Sequence, residues 1–366
     1  MPARLFSPIT LRGLTVPNRI AVSPMCQYMA ADGVPGDWHM VHLGQFAQGG
    51  PGLVIAEATG VEPEGRITPG CPSLHDDATE AAFARIVAFM KSVGNSRVGI
   101  QLAHAGRKAS TTSPWQGGGP VEGEGAWVTS SASDLPYLPS WPTPRALDEA
   151  GLARVRSAFV AAAQRADRAG FDLVEIHAAH GYLLHQFLSP LSNLRTDGYG
   201  GSLEGRMRFP LEIFRAVREA FPEDKPVIIR ISASDWVEGG WDLPQSIELC
   251  KALKEAGCDM VDVSSGGLDQ RQKITTGPGY QVHFAETIRV QAGIPTMAVG
   301  MITEPIQAET IVASGQADMV ALARGMLWDP RWVWHAAVAL GEDLSLPAPY
   351  ARANPALRGQ PFITRK

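Results

Sequence analysis

The sequence predicts a (β/α)8 TIM barrel with a long excursion after strand three. Short β-branched runs alternate eight times with longer amphipathic stretches. A helix-to-strand joint recurs along the chain. The length of 366 residues suits one barrel with insertions, a fold that commonly takes about 250 residues or more. The rival architecture, an open doubly wound sheet, shares the alternation but matches the length less well.

The predicted strands, in order, are Ile20–Ser23, Leu53–Ala58, Val98–Ala103, Leu173–His177, Val227–Ser232, Met260–Ser264, Pro295–Val299 and Met319–Ala323. Helical spacing of apolar residues marks Ala150–Ala169, Leu211–Ala220, Ser246–Ala256 and Pro305–Ser314. The joints Ala169–Val174, Ala256–Val261 and Ser314–Val320 repeat one pattern, small residue, Gly, then Asp and Val. Glycine closes a helix in the left-handed conformation, so Gly170, Gly257 and Gly315 read as stops on the bottom face of the barrel.

The segment 110–145 breaks the rhythm. It is rich in Gly, Pro, Ser and Trp, has no helical period, and leaves the catalytic face after strand three. Long structureless loops inside compact domains usually serve function, so a lid or hairpin over the site is expected. Residues 1–366 thus read as a single barrel domain with a lid-like segment 110–145 and a C-terminal tail 342–366.

Composition narrows the function classes. The net charge of −5 is spread without a basic stripe, which argues against nucleic acid. The opening MPARLFSPITLRGL lacks the apolar core of a signal peptide, and runs such as Ala158–Ala163 are too short to span a bilayer. Cys26, Cys71, Cys250 and Cys258 form neither a disulfide framework nor a CxxC pair. A reduced, cytoplasmic setting without membrane partners is expected.

Alternate side chains of a barrel strand point inward. With Ile100 and Leu102 outward, Gln101 points in. With Val174 and Ile176 outward, Glu175 and His177 point in. With Ile229 and Ile231 outward, Arg230 does. Such groups need partners when buried, and a polar ligand in the mouth would supply them. Pairing of Glu175 with Arg230 is the structural alternative.

His177 and His180 flank two alanines, and Gly181 permits the turn that would let both rings converge. A zinc site needs a third protein ligand that the neighbourhood lacks, so no metal is expected. Two imidazole N–H groups holding one carbonyl oxygen is the better reading. Tyr182 reads either as a proton donor or as a ring packed under a loop. Gly300, Ala323 and Arg324 stand after strands seven and eight, where barrels commonly bind phosphate. Cys26, just past strand one, is either an inert core thiol or part of the site. Schiff-base chemistry wants a desolvated lysine at a strand end; Lys108 stands in a loop and Lys225 precedes strand five, so neither is expected to serve.

These motifs, taken together, resemble the Old Yellow Enzyme family. SPMCQY, EAT, QLAHAGRK, EIHAAHGYLLHQFLSPLSN and RTDGYGGSLEGRMRFPLE carry the resemblance, which runs nearly end to end. The cysteine of SPMC resembles the thermophilic-like, xenobiotic-reductase branch, and Gly205 departs from the more usual Asn. The resemblance implies non-covalent FMN reduced by NADPH or NADH. It implies Ser23, Pro24, Met25 and Cys26 along the flavin edge, with Cys26 near N5, and Ala58 against the ring. Gln101 would bond the pyrimidine edge, Arg230 the N1 side, and Gly300, Ala323 and Arg324 the phosphate. His177 and His180 would hold the substrate carbonyl, Tyr28 would line the pocket, and Tyr182 would protonate the α-carbon. The implied substrates are small enones, maleimides or nitro compounds, and the implied assembly is a homodimer or homotetramer with Arg352 reaching a neighbouring site. A non-catalytic flavin-binding barrel, or a flavin reductase for another small xenobiotic, is the alternative. The His177, His180 and Tyr182 pattern argues against lost chemistry.

Overall fold

Eight strands lie in chain order around a closed, all-parallel barrel: β1 (Ile20–Val22), β2 (Leu53–Gly60), β3 (Arg97–Ala103), β4 (Leu173–Ala178), β5 (Val227–Ser232), β6 (Val261–Ser264), β7 (Thr296–Ala298) and β8 (Met319–Leu322). β8 closes on β1 with Val320 opposite Ile20 and Leu322 opposite Val22. This computed structural model describes residues 2–343 and 346–357. Of the tail expected at 342–366, residues 344–345 and 358–366 therefore lie outside the described ones.

The strand alternation sorts the core into two shells. Ile100, Leu102, Val174, Ile176, Ile229 and Ile231 pack outward with the helix residues. Ala21, Leu53, Ile55, Leu173, Ile228 and Met297 form a separate cluster within the barrel. The antiparallel pair Ile9–Leu11 and Leu14–Val16 adds Leu11 and Val16 to that inner cluster and plugs the bottom.

The outer layer comprises α1 (Asp37–Gly49), α2 (Asp77–Val93), α3 (Glu149–Arg168), α4 (Leu183–Leu188), α5 (Leu203–Ala220), α6 (Leu243–Glu255), α7 (Val282–Ala292), α8 (Pro305–Ala313), α9 (Arg324–Trp328) and α10 (Trp332–Leu340). On α3 the buried Leu152, Val155, Phe159, Ala162 and Ala166 make one helical stripe, and Asp148 caps the start by accepting from the Gly151 N–H at 2.8 Å. α5 begins eight residues before the predicted Leu211, with Pro210 inside it. Proline removes a helix donor and clashes with the preceding turn, which is why pattern reading starts the helix after it.

The repeated joints have a common physical cause. Gly170, Gly257 and Gly315 take φ of +90°, +89° and +78°. The Asp that follows each reaches back to the start of the preceding odd-numbered strand. Asp172 accepts from Val98 N (2.9 Å), Asp259 from Val227 N (2.9 Å) and Asp318 from Thr296 N (3.0 Å). Each is also paired with a cation, Lys91, Arg12 and Arg289 respectively. The motif thus ends a helix and satisfies an amide at the start of a barrel strand at once.

Within the segment 110–145, Thr111 bridges Pro120 antiparallel around the short 3-10 turn Pro114–Gln116, and Ser130–Ser131 pairs in parallel with Arg145–Ala146. Among the described residues, no helix is long and apolar enough to cross a membrane.

Candidate active site

The strand ends bring the predicted inward groups together. Gln101 and Glu175 are register partners on β3 and β4, and Gln101 Nε2 donates to Glu175 Oε1 at 2.7 Å. His177 lies opposite Arg230 across β4 and β5. Arg230 does not pair with Glu175, the alternative raised by the sequence. Its Nε lies 3.3 Å from Asp262 Oδ2, and its Nη1 donates to Ser23 Oγ at 2.9 Å. Asp262 sits opposite Arg230 in the β5–β6 register.

This layer is fully interior. Burial pushes the Glu175 carboxyl up to about 8, Asp262 adds to the rise, and Arg230 and the Gln101 hydrogen bond only partly offset it. Asp262 is also raised by burial, against the pull of Arg230. Glu175 Oε2 and Arg230 Nε have no hydrogen-bond partner among the described residues.

An acid with a raised folded pKa keeps its proton in the fold after the unfolded chain has lost it. Stability from Glu175 is full below its ordinary 4.5 and falls until about 8. At ~1.4 kcal/mol per unit, the fall is of the order of a few kcal/mol. Glu175→Gln keeps an acceptor for Gln101 without the ionisation. Flavin-free Glu175→Gln is expected to exceed wild type in urea midpoint at pH 8.5 but not at pH 5. Equal midpoints at both pH values would count against a protonated Glu175.

The two histidines do converge. His180 adopts φ +56° and Gly181 φ +73°. A Cβ on Gly181 would lie 2.3 Å from the Gly267 carbonyl oxygen, so only glycine fits the turn. His177 then stands edge-on to His180 at 5.2 Å and to Tyr182 at 4.9 Å between ring centroids. The Ala179 N–H donates to His177 Nδ1 at 3.2 Å, which places the ring proton on Nε2. His180 Nε2 is 2.7 Å from Ser264 Oγ. Burial first, then Arg230, drives both imidazoles well below their ordinary pKa, so both are neutral. Burial likewise holds the Tyr182 phenol well above its ordinary value, so it keeps its proton.

Lys108, on the short turn Gly106–Lys108 after β3, also reaches the site. Its loop carries it into the mouth, where Nζ donates to the His180 carbonyl at 2.8 Å and the Gly267 carbonyl at 2.9 Å. It lies 5.1 Å from the Tyr182 ring centre and 4.9 Å from that of Tyr137. Burial, then Arg107, lowers it to about 8. Both carbonyls occupy the amine, so it braces the histidine turn rather than standing free as a nucleophile.

Past β1, Ser23 is buried and Pro24, Met25, Cys26 and Tyr28 are partly exposed. Tyr28 has φ +57° and meets Trp115 of the excursion edge-on at 5.7 Å. A register shift between Ala56 and Ala58 makes Glu57 the extra residue of a bulge, which brings Ala58 opposite Gln101. Glu57 turns away to His39 (3.3 Å) and to the Gln27 amide (2.9 Å). A cavity of about 380 Å³ opens here, lined by Tyr28, Thr68, Lys108, Tyr137 and Trp141 among others.

The loops after β7 and β8 abut. A Cβ on Gly325 would be 3.8 Å from the Ile302 carbonyl oxygen. Gly300 has φ +128°, and a Cβ there would crowd Gln281 Nε2 at 2.8 Å. Ala323 precedes α9, and Arg324 is exposed with no ion pair or hydrogen bond from its side chain among the described residues. The residues present fit a ligand with a polar ring edge and an anionic end, as FMN has: unpartnered polar atoms lie at the barrel centre, and an uncrowded glycine and a free guanidinium at the rim.

Arg352 lies outside this chain's own mouth. It is exposed on the turn Ala348–Ala353, where Tyr350 packs on Trp334 of α10 at 5.7 Å. Trp334 in turn borders Gly50, at the bottom end of α1. Pattern reading missed Asp262, Ser264 and Lys108. Alternation applied to strand six would have placed Asp262 and Ser264 inward, whereas nothing local marks Lys108.

The family model described as the NADH:flavin oxidoreductase / NADH oxidase family matches residues 4–342. A NADPH dehydrogenase of Geobacillus thermodenitrificans (strain NG80-2) is 46% identical over 350 residues, 95% of this chain and 98% of its own. A NADPH dehydrogenase of Bacillus subtilis (strain 168) is 43% identical over 354 residues, 96% of this chain and 99% of its own. Morphinone reductase in complex with tetrahydroNAD superposes with a TM-score of 0.75 at 30% identity, over 94% of this chain and 93% of that one.

Proposed function

The chain belongs to the NADH:flavin oxidoreductase / NADH oxidase family, the Old Yellow Enzyme group, and from that premise we propose that it is an ene-reductase for α,β-unsaturated carbonyl compounds. It is an oxidoreductase that works with FMN and NAD(P)H on small molecules. One observation carries the substrate reading: two neutral imidazoles and a protonated phenol packed side by side at the barrel mouth. The solved relative named for morphinone, in complex with tetrahydroNAD, supports the same class.

FMN, when bound, supplies the hydride chemistry, taking hydride from the nicotinamide and giving it to the β-carbon of the substrate. We assign its binding to Ser23, Pro24, Met25 and Cys26 at the ring edge, Ala58 at the ring, Gln101 and Arg230 at the pyrimidine, and Gly300, Ala323 and Arg324 at the phosphate. His177 Nε2–H and His180 hold the substrate carbonyl and stabilise the charge that grows on its oxygen. Ser264 orients the His180 ring. Tyr182 gives its proton to the α-carbon. Tyr28 and the excursion wall the pocket and exclude water.

The excursion acts as the lid of one working unit. Arg352, exposed and remote from its own mouth, reaches that of a neighbouring copy in a homodimer or homotetramer. Maleimides and nitroalkenes present equivalent acceptor oxygens and fall within the same scope. The four cysteines are free thiols, in keeping with a reducing cytoplasm.

Anaerobic titration tests the reading. Purified protein is expected to be yellow, to bleach with NADPH or NADH, and to regain colour on adding cyclohexenone. A bleached protein that enones, maleimides and nitroalkenes all fail to recolour would leave only the flavin oxidoreductase.

A further inference from the structure

Within EIHAAHGYLLHQFLSPLSN the proposed reaction uses His177, His180 and Tyr182 and leaves Gln186 without a task. Gln186 lies on α4 and is fully buried. Every hydrogen-bonding position of its amide is filled. Nε2 donates to the Gly181 carbonyl at 2.7 Å and to the Ala105 carbonyl at 3.3 Å. Oε1 accepts from the Arg107 amide at 3.2 Å and from Ser131 Oγ at 2.9 Å. Backbone carbonyls only accept and a backbone amide only donates, so the side chain stands one way round. A Cβ on Gly106 would lie 2.4 Å from Gln186 Oε1, so the loop after β3 comes this close because glycine is there. From the other side the Gly181 N–H donates to His185 Nδ1 at 2.9 Å. Arg107 Nη1 also reaches the Leu135 and Pro136 carbonyls of the excursion, each at 3.4 Å.

We propose that Gln186 is a positioning residue that ties the excursion to the turn carrying His180 and Tyr182, so that these groups are held at their working angle while Ser131 is seated. The consequence for catalysis rests on the ene-reductase reading, the tie itself on the contacts above. The turn needs such a hold. His180 sits at φ +56°, an uncommon conformation for a residue with a Cβ, and Tyr182 stands just beyond Gly181 at the start of α4. A shift of the Gly181 backbone therefore moves both side chains, and a misplacement of about 1 Å can cost about 10²-fold in rate. Of the partners of Gln186, Ser131 alone belongs to the excursion. It is fixed there in turn: the Ser131 carbonyl accepts from the Leu147 N–H at 3.0 Å, and the Thr129 carbonyl from the Arg145 N–H at 2.8 Å. Lifting this stretch off the barrel withdraws a donor from Oε1 and loosens the amide that grips Gly181.

Hydrogen exchange of the holoenzyme, read by peptide mass, tests the tie without turnover. Gln186→Met keeps a similar volume and removes every one of these bonds. It is expected to speed exchange in 105–109, where Arg107 loses its acceptor, in 179–185, and in 144–148, whose Arg145 and Leu147 amides pair with the excursion. Unchanged exchange in α6 and α8, with flavin absorbance retained, reports an intact barrel. Ser131→Ala is the milder variant should methionine disturb folding. It is expected to speed exchange in 179–185, with which Ser131 Oγ shares no hydrogen bond among the described residues. Faster exchange in 105–109 alone, or a 179–185 segment that Ser131→Ala leaves unaltered, would overturn the proposal. Recolouring of the reduced flavin by cyclohexenone adds a pH profile that a merely structural role would not move. Gln186→Met is expected to slow it by about 10²-fold at every pH. In Gln186→Glu the new carboxyl donates to the Gly181 carbonyl only while protonated, and burial raises its pKa. The rate is therefore expected to be near that of wild type at about pH 5 and to fall toward about pH 9. The ionisable groups on the elements around it, His104, Arg107, Lys108 and His185 with Asp235, are present in both variants, so their own titration shows equally in Gln186→Met. Parallel pH profiles in the two variants would remove the donor role. A wild type that no acceptor recolours would overturn the ene-reductase reading and leave the exchange result standing.

Discussion

His177→Ala is expected to lower enone reduction by about 10²–10³-fold, the usual cost of losing one oxyanion donor, while the purified protein stays yellow. The size follows from how tightly the donor is prepared. The Ala179 amide occupies Nδ1 at 3.2 Å, so the proton stands on Nε2 without any rearrangement during reaction. The low pKa of the ring means that it never competes as a cation for the substrate oxygen. His177 is also the middle of three rings, with His180 on one side and Tyr182 on the other, so its removal loosens both remaining groups. His177→Asn, which restores an N–H at shorter reach, is expected to recover part of the rate. The oxidative half-reaction, followed by return of flavin absorbance after mixing with cyclohexenone, reads the effect. A half-reaction of unchanged rate in His177→Ala would remove the carbonyl-holding role.

Much of this site is legible because a barrel strand has a period of two. Gln101, Glu175 and Arg230 are each framed by β-branched or leucine neighbours, and His177 by Ile176 and Ala178; those neighbours do pack outward. The same rule reaches Asp262, flanked by Val261 and Val263. It changes the electrostatics, because Arg230 serves Asp262 rather than Glu175. The glycine stops at the bottom joints were legible for their backbone conformation. The aspartates beside them gain meaning only once strand order places Val98, Val227 and Thr296 next to them. What the sequence conceals depends on chain path. Lys108 enters the mouth because the loop after β3 folds back onto β4 and onto Gly267, which is 159 residues away. The bulge at Glu57 interrupts the strand period and re-aims Ala58, which only the resemblance placed in the site.

Arg230→Met is expected to destabilise the protein by about 3–5 kcal/mol, the range for breaking a buried ion pair by removing one partner. Asp262 has no exposed surface, and Arg230 is its only cationic partner among the described residues. Its carboxyl is already raised by burial against the pull of Arg230. Without the guanidinium it rises further. The folded variant therefore holds a proton that the unfolded chain releases above Asp262's ordinary 3.8. Stability of the variant must fall as pH rises through that window, more steeply than in wild type. The double variant Arg230→Met, Asp262→Leu removes both charges and is expected to recover most of the loss and to flatten the added pH dependence, because two apolar side chains of similar volume replace the pair. Flavin retention then separates structure from function. If Arg230 also serves the pyrimidine side of FMN, the double variant regains its denaturation midpoint but not its yellow colour. A single variant within about 0.5 kcal/mol of wild type, or a double variant no more stable than the single, would show that the Arg230–Asp262 pair does not hold the centre of the barrel together.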